Sequence, residues 1–240
     1  FELAIDFPYA HKITNLEKHL SRLLARKKQL EEKGNYYDID DLVFDTKYTD
    51  QLEYTQSLSK KEKASYDAAV QQYGDMLGRC DAVITSTEHL KTELEKKKSE
   101  VIIHRNVLSK KLIHLSNKAI SKKITDETIK IAYFSGSITH NENFEMIKPA
   151  LIKILEKFKN VELHLAGHLD IPLDIEKFGN QIVVHPYVDW EELPDLIGQM
   201  DINLAPLKQT LFNEAKSEIK WLEAAAVKVV TVASNIGSFK

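Results

Sequence analysis

The chain has a single cysteine, Cys80, among its 240 residues. An internal disulfide framework and a cysteine-rich zinc site are therefore excluded. Charge of either sign is not in excess: 33 Lys and Arg stand against 36 Asp and Glu, a formal net charge of −3. General polyanion binding is not favoured, and a nucleic-acid partner is not expected. No apolar run approaches the roughly 18 residues that a membrane span requires. The opening FELAIDFPYAHK lacks the basic-then-apolar order of a secretory signal. No internal repeat or low-complexity tract interrupts the chain. What remains is a globular composition, 43% hydrophobic and 29% charged, and a reducing cytoplasm is the expected home. The length suits one large α/β domain or two modest ones. The chain starts at Phe1 without Met and stops in a turn after a strand-like run. A fragment lacking N-terminal strands and a C-terminal helix is expected from that.

Short β-rich runs alternate with longer helical patterns, which signals parallel sheet with crossover helices. Residues 1–6 read as a strand. Residues 15–33 carry Leu16, Leu20, Leu23, Leu24 and Leu30 at helical spacing. Residues 36–44 read as strand and turn, 60–80 as a helix opening after Ser59, 82–85 as a strand, 88–98 as a helix and 101–104 as a strand. From 106 to 128 the pattern weakens into a lysine-rich stretch. It reads as a connection, with a solvated surface favoured over contact with a membrane surface. A second alternating block begins at Ile129: strand 129–134, helix 144–158, strand 161–166, strand 182–187, helix 191–200 and strand 202–205. The last segment, 213–234, reads as a polar loop, a short helix with Lys220 and Glu223, and a strand. The expected organisation is a partial first Rossmann-like domain over 1–108, a linker over 109–128 and a second Rossmann-like domain over 129–240.

In open α/β sheets, ligands sit outside the carboxyl ends of the strands. The informative residues are thus those just past each strand. Ser135-Gly136-Ser137 offers small side chains and an approachable backbone, as an anion site needs. His140 and His168 can donate to phosphate or sugar oxygens, and Gly167 closes a strand. Lys216, Ser217 and Lys220 surround a loop-to-helix junction that suits a pyrophosphate. Glu223, further along that helix, can accept hydrogen bonds from a sugar diol. In the first block Asp38, Asp40 and Asp41 cluster at a strand end, where carboxylates serve a metal, a base or an acceptor hydroxyl, or simply cap and brace the loop.

Four segments together resemble a known family. DIDDLVFD (38–45), CDAVITST (80–87), IAYFSGSITHNENF (131–144) and FNEAKSEIKWLEAAAVKVVTVAS (212–234) stand in the order seen in family-four glycosyltransferases of GT-B type, closest to the bacterial surface-glycan branch. LHLAGHLDIP (163–172) and HPYVDWEELPDLIGQMDINLAPL (185–207) extend the likeness. The resemblance implies two Rossmann-like domains facing a cleft, a nucleotide-sugar donor on the second and a glycan, lipid-linked or protein-linked acceptor on the first. It implies transfer with retention of configuration and no metal cofactor. Glu223 matches the second glutamate of the family's paired-glutamate motif, which holds the donor ribose. Lys216, Ser217 and Lys220 fall at the donor phosphates and the transferred sugar, and Gly136 and Ser137 at the loop beneath the pyrophosphate. Tyr187 and Val188 fall where the base packs. Eight residues before Glu223 stands Ala215 rather than a glutamate, which leaves Glu214 as the candidate for that role. The basic pair usual in the phosphate loop is replaced by His140 and Asn141.

Two other readings compete. DIDDLVFDT (38–46) also resembles the nucleophile loop of haloacid-dehalogenase-type phosphatases, with Asp38 attacking phosphate, Asp40 as acid/base and Mg²⁺ between them. Leu42 departs from that pattern, and Asp201 alone offers no acidic pair to close the metal site. The missing glutamate at Ala215 motivates the other reading, a non-catalytic module on a transferase-like scaffold.

Overall fold

The computed structural model describes Leu24 and residues 34–124, 126–137 and 140–240. Apart from Leu24, the expected strand over 1–6 and helix over 15–33 lie outside the described residues. The chain from residue 34 builds two parallel sheets in succession.

The first unit runs β1 (Tyr36–Asp38), α1 (Thr46–Thr49), α2 (Glu53–Ser57), α3 (Lys60–Arg79), β2 (Ala82–Thr85), α4 (Glu88–Leu94) and β3 (Val101–Ile103), and its strands pair in the order β1-β2-β3. Ser59 starts α3 through a capping box: its hydroxyl accepts the Glu62 N–H, and the Glu62 carboxylate accepts the Ser59 N–H. Asp45 caps α1 by accepting the Lys47 N–H at 3.1 Å and pairs with Lys97 at 2.6 Å. Leu42, Phe44, Tyr48, Val83, Leu90 and Leu94 fill the interior. The short α1 and α2 arise where the sequence suggested only a turn. Tyr48 and Thr49 are buried there, so packing and not helical periodicity fixes that stretch.

The second unit contains α5 (Lys110–Ser121), β4 (Ile129–Ser135), α6 (Asn141–Lys157), β5 (Val161–Gly167), α7 (Leu173–Glu176), β6 (Ile182–His185), α8 (Leu193–Gly198), β7 (Ile202–Ala205), α9 (Leu211–Glu214), α10 (Ile219–Ala226) and β8 (Val230–Ala233). Its five strands are parallel in the order β6-β5-β4-β7-β8. Both sheet faces are covered, as parallel sheets require. Alternate residues of β4 serve the two cores. Ile131 and Tyr133 meet Phe144, Leu151 and Leu155 of α6, whereas Ala132 joins Ala119, Ile197, Met200, Ala224 and Val227. Burying each large side chain contributes about 1.5–3 kcal/mol.

Helix α5 fills most of the segment expected to be a plain connection. It packs against α8, and an added Cβ on Gly198 would stand only 3.4 Å from the Cβ of Ala119. The two helices approach closely because Ser116, Ala119 and Gly198 are small.

The units meet through α9. Ala215 is buried in the first unit's interior, with Phe212 packed beside it. Thr87 caps α4 by accepting the Leu90 N–H at 3.1 Å, and its hydroxyl donates to the Ala215 carbonyl at 2.9 Å. Among the described residues no helix is long and apolar enough to cross a membrane.

Candidate active site

Strand succession runs outward from β4 through β5 to β6, then returns to β7 and β8 on the other side. The direction reverses between β4 and β7, so a crevice is expected beyond their carboxyl ends. The loop leaving β4 lies there. Ser135 is buried and its hydroxyl donates to the Ser137 carbonyl at 2.9 Å. Gly136 is exposed, and a Cβ built on it meets no atom within 4 Å. Among the described residues nothing demands glycine at this point. Its bare backbone leaves the space beyond the strand open.

Gly167, at the end of β5, is different. Its φ is +87°, and a Cβ there would lie 2.1 Å from the Ser135 carbonyl oxygen. That glycine is required by close backbone approach. The following His168 N–H donates to the same carbonyl at 3.0 Å. The His168 ring stacks on Tyr187 at 5.3 Å, and Tyr187 is 63% exposed. The loops after β4, β5 and β6 therefore share one rim, with an accessible aromatic face on it.

Helix α10 rises beside this rim. Asn203 of β7 anchors it, donating to the Lys220 carbonyl at 3.2 Å and to the Thr231 hydroxyl at 3.1 Å. Lys220 Nζ donates to the Phe134 carbonyl at 2.8 Å and lies 5.1 Å from the centre of the Tyr133 ring. Burial and the nearby Lys216 charge pull its pKa down to about 8, with Glu223 opposing. Glu223, one turn on, has its pKa raised by burial, and Lys220 works against that rise. The pair is partly covered in mutual electrostatic contact, with the lysine directly beneath the loop from β4.

A cleft between the units is lined by Gln51 and Leu52 from the first and by His140, Asn143, Phe212, Asn213 and Lys216 from the second. Lys216 Nζ reaches Asp41 at 2.8 Å and lies 4.8 Å from the Phe212 ring centre. His140 accepts the Tyr133 hydroxyl proton on its carbonyl at 2.9 Å. Burial, with Lys220 and Lys216 nearby, drives its imidazole pKa down to about 3. The ring is neutral at physiological pH.

Residues 129–240 match the family model described as glycosyl transferases group 1. The second unit, from β4 onward, is thus similar to that family. Two solved structures share the fold. WaaG, a glycosyltransferase involved in lipopolysaccharide biosynthesis, superposes with a TM-score of 0.57 at 13% identity, over 98% of this chain and 69% of that one. HepE of Anabaena, in complex with UDP and glucose, gives a TM-score of 0.54 at 13% identity, over 85% of this chain and 53% of that one. No curated protein matches the sequence. The α/β architecture with parallel sheets matches that of these GT-B glycosyltransferases.

The residues singled out from sequence separate into groups. Lys216, Lys220 and His140 converge with the loop at Gly136 and Ser137, and Asp41 reaches them from the first unit. Gly167, His168 and Tyr187 form the adjoining rim, and Val188 is half-buried next to it. Ser217 does not line the cleft, and its hydroxyl accepts from the Asn106 amide at 2.8 Å. Glu214 turns toward the end of the described chain, accepting the Gly237 N–H at 2.9 Å and facing Lys240 at 3.6 Å. Asp38 and Asp40 are exposed, and neither lines the cleft. Among the described residues no three His, Cys, Asp or Glu side chains gather as a metal centre needs. The phosphatase reading thus finds no support in the geometry.

Several cleft residues escape the sequence reading, two of them polar side chains in the interior. Asn143 and Asn213 are buried. Asn143 sits on the same stripe of α6 as Ile147 and Leu151, four residues apart. A lone amide on an apolar stripe is the signal that would have found it.

Proposed function

We propose that the protein moves a sugar from a nucleoside-diphosphate sugar to a glycan or glycoconjugate acceptor, with retention of anomeric configuration. The observation that carries this reading is the placement of Lys220. It is a partly covered ammonium under the loop from β4, at the point where strand order reverses. Transfer builds negative charge on the departing diphosphate, and preorganised donors in a water-poor site stabilise that charge best. Lys216, Lys220, the Gly136–Ser137 backbone and the His140 ring supply donors of that kind. Removing one such donor costs about 3–4 kcal/mol of barrier. In this reading the lysines provide the positive charge, and no metal is invoked.

Glu223 accepts hydrogen bonds from the ribose hydroxyls of the donor, and Tyr187 offers its exposed ring to the base. Asp41 keeps Lys216 in place until the diphosphate competes for it. The acceptor enters from the first unit's side, past Gln51 and Leu52.

Thermal-shift titration with UDP, GDP, dTDP and CDP and their sugars tests the reading. A ligand at about a hundred times its dissociation constant adds roughly 2.7 kcal/mol to the native state and raises the melting point. Glu223→Ala should weaken the binding nucleotide about tenfold or more, as loss of a charge-assisted hydrogen bond does. Melting points unmoved by every nucleotide and nucleotide sugar would overturn the proposal.

A further inference from the structure

Asn143 has its side-chain amide oriented by the backbone. Its Oδ1 accepts the Lys208 N–H at 2.8 Å. A backbone N–H is only ever a donor, so the oxygen and not the nitrogen of the amide must face it. Asn213 agrees with that assignment. Its own Nδ2 donates to the Lys208 carbonyl at 2.9 Å, which fixes its amide, and the same Nδ2 reaches Asn143 Oδ1 at 3.3 Å.

The Asn143 Nδ2 is then left facing His140 Nδ1 at 3.3 Å. An amide nitrogen can only donate there, so Nδ1 must be the bare, accepting nitrogen. A neutral imidazole carries one proton, and that proton is therefore on Nε2. Among the described residues Nε2 has no hydrogen-bond partner. It belongs to a side chain that lines the cleft between the units.

We infer that Asn143 is a positioning residue that holds His140 as a neutral imidazole with its proton on Nε2, a fixed hydrogen-bond donor to an oxygen of whatever occupies the cleft. The charged neighbours act in the same direction. Lys216 and Lys220 both bear on the His140 ring and disfavour a second positive charge there. Glu142, which lines the same cleft, is engaged by Lys208 at 3.2 Å and by the Glu53 N–H at 2.8 Å. A protonated His140 would also turn an N–H onto the Asn143 amide hydrogens. The consequence for catalysis rests on the glycosyltransferase reading: His140 donates to a diphosphate or sugar oxygen without adding a cation or giving up a proton. The tautomer itself does not rest on that reading.

The test is ¹⁵N NMR of the ring nitrogens in the full chain, with His140 assigned through His140→Gln. In the wild-type protein the Nε2 signal should be that of a protonated nitrogen and the Nδ1 signal that of a bare one, unchanged between about pH 5 and 8. Asn143→Asp keeps the shape and still accepts from the Lys208 N–H, but now presents an oxygen to Nδ1. His140 should switch to the Nδ1–H tautomer or become imidazolium. In transfer assays that variant should lose kcat on the order of a hundredfold, with donor KM changed far less. His140→Gln, which returns a neutral donor, should recover part of the rate in the Asn143→Asp background. A wild-type His140 protonated on Nδ1, or titrating in that pH range, overturns the inference, as does an Asn143→Asp spectrum identical to wild type. Failure of every nucleotide to bind, with the Nε2–H tautomer present, sinks the proposed function and leaves this inference standing.

Discussion

Lys220 is the residue where stability and function should pull apart. Its Nζ has one described hydrogen-bond acceptor, the Phe134 carbonyl, and Lys216 adds like charge nearby. Folding lowers its pKa from 10.5 to about 8. Between those values the unfolded chain binds more protons than the native one, so native stability rises with pH across that window. Each tenfold loss of proton affinity corresponds to about 1.4 kcal/mol. Keeping the ammonium charged in its site therefore costs about 3 kcal/mol near neutral pH, and about 2 kcal/mol of that is relieved between about pH 8 and 10. Lys220→Met removes the charge and keeps most of the volume. Urea unfolding of wild type and variant should show a stability difference that shrinks by about 2 kcal/mol from pH 8 to 10 in favour of the wild type. At pH 7 the variant should be at least as stable as the parent, while transfer activity collapses. Titrating groups remote from Lys220 are common to both proteins and cancel in the difference, and Glu223 and His140, which feel its charge, titrate below pH 8. A difference that stays flat with pH, or a variant much less stable than wild type at neutral pH, would show that Lys220 is a structural lysine and undo this account of it.

Two further expectations concern the rim and the cleft. Gly167→Ala should destabilise by about 3 kcal/mol or more, because the new Cβ meets the Ser135 carbonyl at positive φ, whereas Gly136→Ala should leave the melting point unchanged and weaken only nucleotide binding. Asp41→Asn releases Lys216 from its partner, and calorimetry should show nucleotide affinity rising about two- to fivefold, the scale of a partly exposed ion pair; unchanged affinity would remove Asp41 from the site.

The strands of the second unit were legible because each is a short apolar run with a turn at its end, and a parallel sheet buried on both faces needs just that. The order Ile129, Val161, Ile182, Ile202 and Val230 as strand openings was readable for the same reason, within a residue or so. Helix α5 was not. Its buried face is written in Ser116 and Ala119, small residues chosen by the close approach of Gly198, and the lysines around them mask the period. The site was half legible. Lys216, Lys220, His140 and the Gly136 loop follow from their positions past strand ends. Asp41 as the partner of Lys216 lies 175 residues away in sequence, and no local pattern encodes a pairing of that length. The contacts of Glu214 were hidden for a related reason: spacing from Glu223 was counted along the chain, while the turn at Gly237 decides where its carboxylate goes. The Asn143–His140 contact depends on amide orientation, which only neighbouring backbone can set.

Helix α9 bears on how the two halves can move. Ala215 is seated in the interior of the first unit and Phe212 packs against that core, yet they precede Lys216 and Lys220 by only a few residues. The two sheets are thus stitched by a strap that belongs to one and is packed in the other. Widening the groove to admit a bulky molecule cannot extract those two side chains cheaply, so the bending must fall on the backbone flanking 211–215. A lesion deep in the first half, far from any bound sugar, would then be felt first as a displaced ammonium group on the second.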